Sequence, residues 1–565
     1  MIKKIIECVP NFSEGRDMQI IKHITDEIES VKGVSLLNVD PGVATNRTVV
    51  TFVGDPESVM EAAFLAIKRA SQLIDMRNHH GEHPRMGATD VCPLIPISGV
   101  SMEETAEYAR KLAQRVGSEL GIPVYCYENA AFKPERKNLA NCRAGEYEGL
   151  KKRLSSPEWK PDFGPSIFSS EVEKTGATAI GARDFLIAVN FNLNTTSTRR
   201  ANAIAFDVRE KGRKLREGNS ITGKVVKDSD GNDVWVPGTL KGCKAIGWFI
   251  EEYGIAQVSM NVTDINVTPV HIAFDEVVAK AAARGIRVTG SEIVGLIPKR
   301  VLIDAGKYYL AKQQRSAGIS EDEIIKIAVK SMGLDDLKPF HPQERVIEYL
   351  IEDSSTNRLI DMTCKGFVNE TASESPAPGG GSVSAYMASL GTALGVMVAN
   401  LSSHKAGWDH KWDYFSKYAE SGVAIMNELM YLVDEDTNSF KRIMDAFSLP
   451  KESEKDKEAR SRAIQEATLY ATEIPLRTMK VAYSALDLIE AMVKEGNPNS
   501  VSDAGVGALA IRSAVFGAYM NVRINSVDLK DREKAHLLIK EAQEIMDRTS
   551  EREKYITDMV LETIK

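Results

Sequence analysis

Apolar positions change their period at about two-thirds of the chain. In the first part, short β-branched runs alternate with segments whose apolar residues recur every three or four positions. Ile5–Val9, Val34–Val39, Thr48–Val53 and Val91–Ile97 read as strands, and Pro123–Tyr127 as extended. Met18–Glu29, Glu57–Leu73 and Met102–Leu120 read as helices. This order predicts a split βαβ, ferredoxin-like layer with helices on one face. A similar order returns in Phe185–Leu193 (strand), Arg199–Arg216 (helix), Ala245–Ile250 and Ala256–Val262 (paired strands), Val270–Arg284 (helix) and Ile286–Thr289 (extended). Ile221–Pro237 adds a hairpin with its turn at Asp230-Gly231. Glu321–Met332 is a further helix, with Ser320 as N-cap and Glu323 three residues on. Beyond Lys338-Pro-Phe-His-Pro and Asp353-Ser-Ser-Thr-Asn, strand signals nearly vanish and long helical periods run to Lys565. The fold class expected is therefore α+β, two ferredoxin-like βαββαβ subdomains with a cleft between them, followed by an all-α bundle. The boundaries are 1–180, 181–337, a linker at 338–357, and 358–565.

Composition narrows the classes. A chain of 565 residues with 43% apolar content has ample material for several cores. The formal net charge is −8 and Lys/Arg are dispersed, without the basic face of a nucleic-acid binder. Six cysteines without a CxxC pair read as buried free thiols of a reducing compartment. Glu7 interrupts the first apolar run before it reaches signal-peptide length. Ser382–Leu401 has the length of a membrane span, but its Ala, Gly, Ser and Thr, with Gly391-x-x-x-Gly395, fit a soluble helix that packs closely. These features predict a cytoplasmic protein.

In the first half the densest polar cluster is Arg77-Asn-His-His-Gly-Glu-His-Pro-Arg-Met-Gly. His79-x-x-Glu82-His83 formally matches an inverted zinc-protease pattern, which needs one continuous helix. Gly81 within it and Pro84 after it argue against that helix, so no metal is expected. The alternative is a loop that presents one proton-exchanging histidine, His83, flanked by Glu82 and Arg85; an ordinary exposed loop histidine is equally compatible. Asp40 and Arg47 bracket a strand-to-strand connection, where Asp40 could orient His83, or simply form an Asp-Pro-Gly turn. Trp159–Ser166 and Gly176–Arg183 read as two loops at the subdomain boundary, with Trp159 or Phe163 available to stack on a flat heterocycle.

In the second half, the glycines of Ser375-Pro-Ala-Pro-Gly-Gly-Gly-Ser382, Gly380 among them, would let a ligand reach backbone N–H groups at a helix start. The lysine of a P-loop is missing. In Ile425–Phe447 the apolar stripe runs through Leu429, Leu432, Val433, Phe440 and Phe447, and four-residue steps from Leu432 pass through Asp436. Asp436 therefore faces inward, whereas Asp434, about 200° round the helix, should be wet. A carboxylate on a core stripe is costly unless paired or functional. Asp503 has an N-cap position available. Asn521 and Asn525 share a helix face, to bind a ligand edge or to fix bundle register.

Taken together, these segments resemble the formimidoyltransferase-cyclodeaminase family. Glu7-Cys-Val-Pro-Asn-Phe-Ser-Glu-Gly15, Thr45-Asn-Arg-Thr48, Gly81-Glu-His-Pro-Arg-Met-Gly-Ala88 and Gly181-Ala-Arg183 carry the likeness to its transferase part. Pro376-Ala-Pro-Gly-Gly-Gly-Ser382, Leu432-Val-Asp-Glu-Asp436 and Gly517-Ala-Tyr-Met-Asn-Val522 carry the likeness to its cyclodeaminase part. The resemblance implies transfer of a formimidoyl group from N-formimidoyl-L-glutamate to N5 of tetrahydrofolate, the co-substrate. Cyclisation to 5,10-methenyltetrahydrofolate with release of ammonia would follow. It implies His83 and Asp436 as the catalytic residues; Asp40 and Glu82, from the residue reading above, are candidates for catalytic support. The folate-binding segment would be Asp162, Phe163, Gly164, Pro165, Ser166, Ile167 and Phe168. Arg47, Arg183, Gly380, Asp503 and Asn521 are candidate substrate contacts, and Arg143 a further anion-binding arginine. No metal, nucleic acid or membrane is implied; a homo-oligomer is, dimer-based and up to the octamer of the animal enzyme, acting on folates that can be polyglutamylated. Ile221–Pro237 and Ser169–Thr175 look longer than in the animal form. The competing reading is an active transferase whose helical module binds folate without catalysis.

Overall fold

The computed structural model describes residues 4–42, 46–80, 84–219, 222–351 and 358–564. The chain divides into two compact units, Met1–Val301 with Met332–Glu352, and Leu302–Ser331 with Asp353–Lys565.

The first unit holds two sheets. The elements of the first are β1 (Ile5–Cys8), α1 (Met18–Glu29), β2 (Val34–Gly42), β3 (Arg47–Gly54), α2 (Pro56–Leu73), β4 (Thr89–Ser98), α3 (Met102–Leu120), β5 (Val124–Glu128) and β6 (Thr178–Ala182). β1, continued by Asn11–Phe12, lies between β3 and β4, and β2 pairs outside β3. These four antiparallel strands have the ferredoxin-like order. β6 and then β5 extend the sheet in parallel beyond β4. The helices start at side-chain caps from Asp17, Asp55 and Ser101, the last a complete capping box with Glu104. Ile6, Cys8, Phe12, Val50, Phe52, Cys92 and Leu94 form the core beneath the helices. By strand alternation Glu7, Asn11 and Arg47 therefore point to the other face.

The second sheet is built from β7 (Ile187–Leu193), α4 (Thr198–Val208), β8 (Cys243–Ile250), β9 (Ile255–Val262), α5 (Val270–Ala282) and β10 (Val288–Val294). Its order, β8-β9-β7-β10, antiparallel throughout, is again ferredoxin-like.

Four local readings need correction. Gly176–Arg183 is not a loop: β6 is a buried strand of small residues, and a Cβ on Gly181 would lie 2.6 Å from the Tyr127 ring. Asp40-Pro41-Gly42 is not a turn but strand, pairing with Arg47–Val49; β2 is an edge, where proline costs no ladder bond. α4 stops at Val208 rather than Arg216, because Gly212 (φ +70°) turns the chain into an arm in which Arg213–Lys214 pairs with Trp235–Val236. The turn of that arm does fall at Asp230-Gly231, where Asp228 and Asn232 exchange backbone and side-chain hydrogen bonds. Finally, 338–351 is not a loose linker. Val346 and Ile347 are fully buried and Ile297 pairs with Val346; residues 352–357 lie outside the described set.

The helical unit contains α6 (Lys299–Lys312) and α7 (Glu321–Met332) for most of their length. They are followed by α8 (Cys364–Thr371), α9 (Gly380–Ser403), α10 (Trp412–Ser448), α11 (Glu454–Glu495), α12 (Val501–Asn525) and α13 (Arg532–Thr563). The segment 302–331, expected with the second sheet, docks here: Asn400 Nδ2 donates to the Gly318 carbonyl at 2.7 Å, and the Ala317 N–H to Ser416 Oγ at 3.1 Å. α9 and α12 are long and apolar enough to cross a membrane by length and composition, but over half of α9's apolar window is buried inside the unit. Their crossing uses glycines. A Cβ on Gly391 would lie 2.8 Å from the Gly507 carbonyl, and one on Gly507 equally close to that of Gly391.

α11 runs 42 residues with Pro475 inside it. Proline has no N–H, so the Ala471 carbonyl, four residues back, loses its helical donor. Asn525 Nδ2 of α12 donates to that carbonyl at 2.7 Å. Asn525→Ala should lower the unfolding free energy by about 1–3 kcal/mol, because the carbonyl is left unpartnered in a packed interface. Denaturant unfolding followed by helical circular dichroism measures this, and Asn525→Ala/Pro475→Ala should recover part of the loss.

Candidate functional site

Residues 81–83 lie outside the described set, so Glu82 and His83 have no described geometry. The frame on both sides of them is well defined. His79 is buried; its Nε2–H donates to the Asn46 carbonyl at 2.8 Å, and its Nδ1 accepts from Arg85 Nε at 3.3 Å. Burial, then the nearby Arg85 charge, hold its pKa below the usual imidazole value, so it stays neutral. Both ring nitrogens are thus engaged within the protein. Asn46 sits at φ +46° and fastens two further strands of chain, accepting from the Gly15 N–H at 3.0 Å and donating to the His80 carbonyl at 3.1 Å. Arg85 is a buried fork, bonded to both carboxylate oxygens of Glu148 at 2.8 and 2.7 Å.

Beside this frame lies Asp90, fully buried. It forms ion pairs with Arg47 and with Arg143, the latter at 2.6 Å, and also accepts from the Met86 N–H at 3.1 Å. Arg47 donates in addition to Asn11 at 3.0 Å. Glu7 projects from the same sheet face and is 3% exposed. Burial pushes its pKa up to about 7, against the pull of Arg183. Arg183 donates to the Asp184 carbonyl. Asp40 stands exposed on the edge strand, bound to none of these groups.

Several of the proposed folate contacts already have internal partners. Asp162 is paired with the buried Arg136 and accepts the Cys126 N–H at 2.8 Å. Phe163 meets Phe132 edge-on. Gly164 adopts φ +82°, against the Ile122 carbonyl. Trp159 is covered by the Arg153 guanidinium at 4.3 Å. The outer part of the segment differs: Ile167 is 75% exposed.

In the helical unit three of the candidates, Asp436, Gly380 and Asn521, come together. Asp436 on α10 meets the start of α9, where Gly379 supplies no side-chain cap. Its Oδ2 accepts from the Ser382 N–H at 2.9 Å and from Ser382 Oγ at 3.1 Å. Asp436 thus caps a neighbouring helix in place of the missing side chain. Oδ1 takes no hydrogen bond from the described residues and lies over Gly381, where a Cβ would collide with the carboxylate. Burial raises the Asp436 pKa, partly offset by the two Ser382 hydrogen bonds. Asn521 on α12 flanks the same helix start, its Nδ2 3.3 Å from where a Cβ of Gly380 would be. Asp503 is neither a cap nor part of this group; it sits in the first turn of α12. Three neighbours depart from the expected stripe. Asp434 is half-buried rather than wet, accepting the Leu359 N–H at 2.6 Å. Phe440 and Phe447 are exposed, because the buried face of α10 runs instead through Glu435, Ser439 and Ala446. Glu435 is held by Tyr470 at 2.5 Å and Arg442 at 3.1 Å.

Comparison with known proteins follows the same division. The model of the formiminotransferase domain, N-terminal subdomain, matches residues 5–183, that of the formiminotransferase domain matches 188–352, and that of formiminotransferase-cyclodeaminase matches 363–544. The formimidoyltransferase-cyclodeaminase of Mus musculus is 43% identical over 539 residues, covering 95% of each chain. That of Dictyostelium discoideum is 40% identical over 563 residues, covering 97% of each. The chain belongs to the formimidoyltransferase-cyclodeaminase family. The glutamate formimidoyltransferase of Thermoplasma acidophilum, 44% identical over 308 residues, spans 54% of this family member and 92% of its own length.

In this member of the family, Asn46, Asp90, Gly381 and Ser382 are structural partners of the candidate residues that residue type alone did not single out. An acid immediately before the apolar run Val91–Ile97 was the available signal for Asp90. The titration of Glu7 gives a direct test. Its folded pKa, about 7, lies above the ordinary carboxylate value of 4.5. The stabilisation this confers is therefore complete below pH 4.5 and lost as pH rises through 7. Glu7→Gln should remove that slope and leave the variant more stable than wild type at pH 8 by about 3 kcal/mol. Unfolding midpoints from pH 4.5 to 8 measure it.

Proposed function

We propose that the chain is a bifunctional folate enzyme of histidine degradation. The first unit transfers the formimidoyl group from N-formimidoyl-L-glutamate to N5 of tetrahydrofolate. The helical unit closes 5-formimidoyltetrahydrofolate to 5,10-methenyltetrahydrofolate and releases ammonia. Membership of the family over nearly the whole chain supports both halves. The observation that carries the second is the one-sided carboxylate of Asp436.

The Ser382 N–H is directed at Oδ2, as is its hydroxyl, shared with the Val433 carbonyl at 2.8 Å, so a proton on this carboxyl belongs on Oδ1, the oxygen above Gly381. Ring closure needs such a proton. As N10 bonds to the formimidoyl carbon it loses its hydrogen, and the C–N bond to the departing nitrogen breaks only once that nitrogen is protonated. Asp436 Oδ1 would deliver a proton to the leaving amine and accept the one lost from N10. A raised pKa suits it to both tasks. Asn521 and the N–H groups at the start of α9 would hold the polar edge of the folate ring.

For the transfer, His83 would take the N5 proton and return it to the glutamate nitrogen as the C–N bond breaks. Arg47 and Arg143 are pinned by Asp90, which keeps two guanidiniums fixed for substrate carboxylates. Arg183, Glu82 and Asp40 are further candidates, and Ile167 with its neighbours offers a surface to the folate. The exposed apolar side chains of α9 and α12, Leu390, Leu401, Val506, Leu509 and Met520, support a homo-oligomer. The location proposed is cytoplasmic.

An absorbance time course with tetrahydrofolate and N-formimidoyl-L-glutamate tests the assignment. Wild type should yield methenyl-folate and ammonia. Asp436→Asn should stall at formimidoyl-folate, its closure slowed about 100-fold or more, and His83→Ala should abolish transfer while still closing added formimidoyl-folate. Unchanged closure in Asp436→Asn would leave the helical unit as a folate-binding module. No folate product from folded wild type would overturn the donor.

A further inference from the structure

The arm that follows α4 lies against that helix, and between them is an open cavity of about 610 Å³. Five cations line it, Arg199, Arg209, Arg213, Lys214 and Arg216, and no carboxylate does. Two of the five are neutralised from behind: Asp207 pairs with Arg213, and Asp233 pairs with Lys214 at 2.5 Å. The other three have no ion pair among the described residues. Arg209 donates to the Gly212 carbonyl at 2.9 Å, and Arg216 to the Gly223 carbonyl at 2.7 Å. Those bonds fix the guanidiniums in place without reducing their charge.

The aromatic walls strengthen the argument. The Arg209 guanidinium lies 3.9 Å from the centre of the Phe206 ring, and the Lys211 ammonium 4.6 Å from that of Trp235. Both rings are already occupied by cations, so they order charge rather than offer a stacking face. Arg199, Arg209 and Arg216 bring three guanidinium charges to one concavity whose lining holds no carboxylate, an arrangement that a bound anion stabilises.

We propose that this pocket is a binding site for a small polyanion carrying several closely spaced phosphates or carboxylates, separate from both reaction sites. The pocket lies between α4 and the arm that follows it, with Trp235 contributed by the segment Ile221–Pro237, and its lining includes none of the residues assigned to formimidoyl transfer. Isothermal titration of the full-length protein at low ionic strength, with sodium tripolyphosphate in one series and citrate in another, tests it. Saturable binding of at least one is expected. It should weaken at least tenfold in Arg199→Gln/Arg216→Gln and fall as salt is raised, with formimidoyl transfer unchanged. The tighter of the two probes would identify the ligand as a phosphate or a carboxylate. No saturable binding of either, or equal binding by wild type and variant, would overturn the proposal.

Discussion

Asp90 is fully buried with two guanidiniums and a backbone N–H directed at it. A carboxylate so enclosed loses its water and must be answered from within the protein. The answer here ties Arg47 at the start of β3, Arg143 from the segment beyond β5, and the chain just after residues 81–83 to one point. The same constraint governs the other half, with a different solution. Asp436 is answered by the start of α9, through two donors from a single serine, and on one oxygen only. Complete neutralisation gives a rigid anchor; partial neutralisation gives a group that can still exchange a proton.

Most elements were legible because their burial follows their period. The strands β1, β3, β4 and β9 and the helices α1 to α3 stand where alternation or three-to-four spacing placed them. β6 was hidden because alanine and glycine carry little strand preference; only the Tyr127 ring above Gly181 explains why these residues must be small. The polar arm after α4 concealed the end of that helix, since charged residues are as compatible with helix as with hairpin.

The sites were legible to a different depth. The inward placement of Asp436 followed from the spacing to Leu429, Leu432 and Val433, although Phe440 and Phe447, on the same supposed stripe, are exposed. A helix of 37 residues that changes partners along its length cannot keep one buried stripe. The roles of Ser382 and Gly381 depend on where α9 begins relative to α10, a long-range contact no local pattern encodes. Asp162 and Trp159, expected near the folate, are paired within the chain with Arg136 and Arg153. Pairing partners, unlike residue types, are invisible until the chain is folded.

The bond from Asn525 to the Ala471 carbonyl has a consequence for how related chains can diverge. Pro475 creates a vacancy for a donor, and Asn525, fifty positions on, fills it. Neither residue is fully explained alone. Where position 475 regains an N–H, the carbonyl is satisfied within its own helix and position 525 is released to vary. Where proline is kept, a donor at 525 is required. The two sites should therefore be inherited as a pair across helical modules of this kind, a signature of the α11–α12 contact that can be read without any structure.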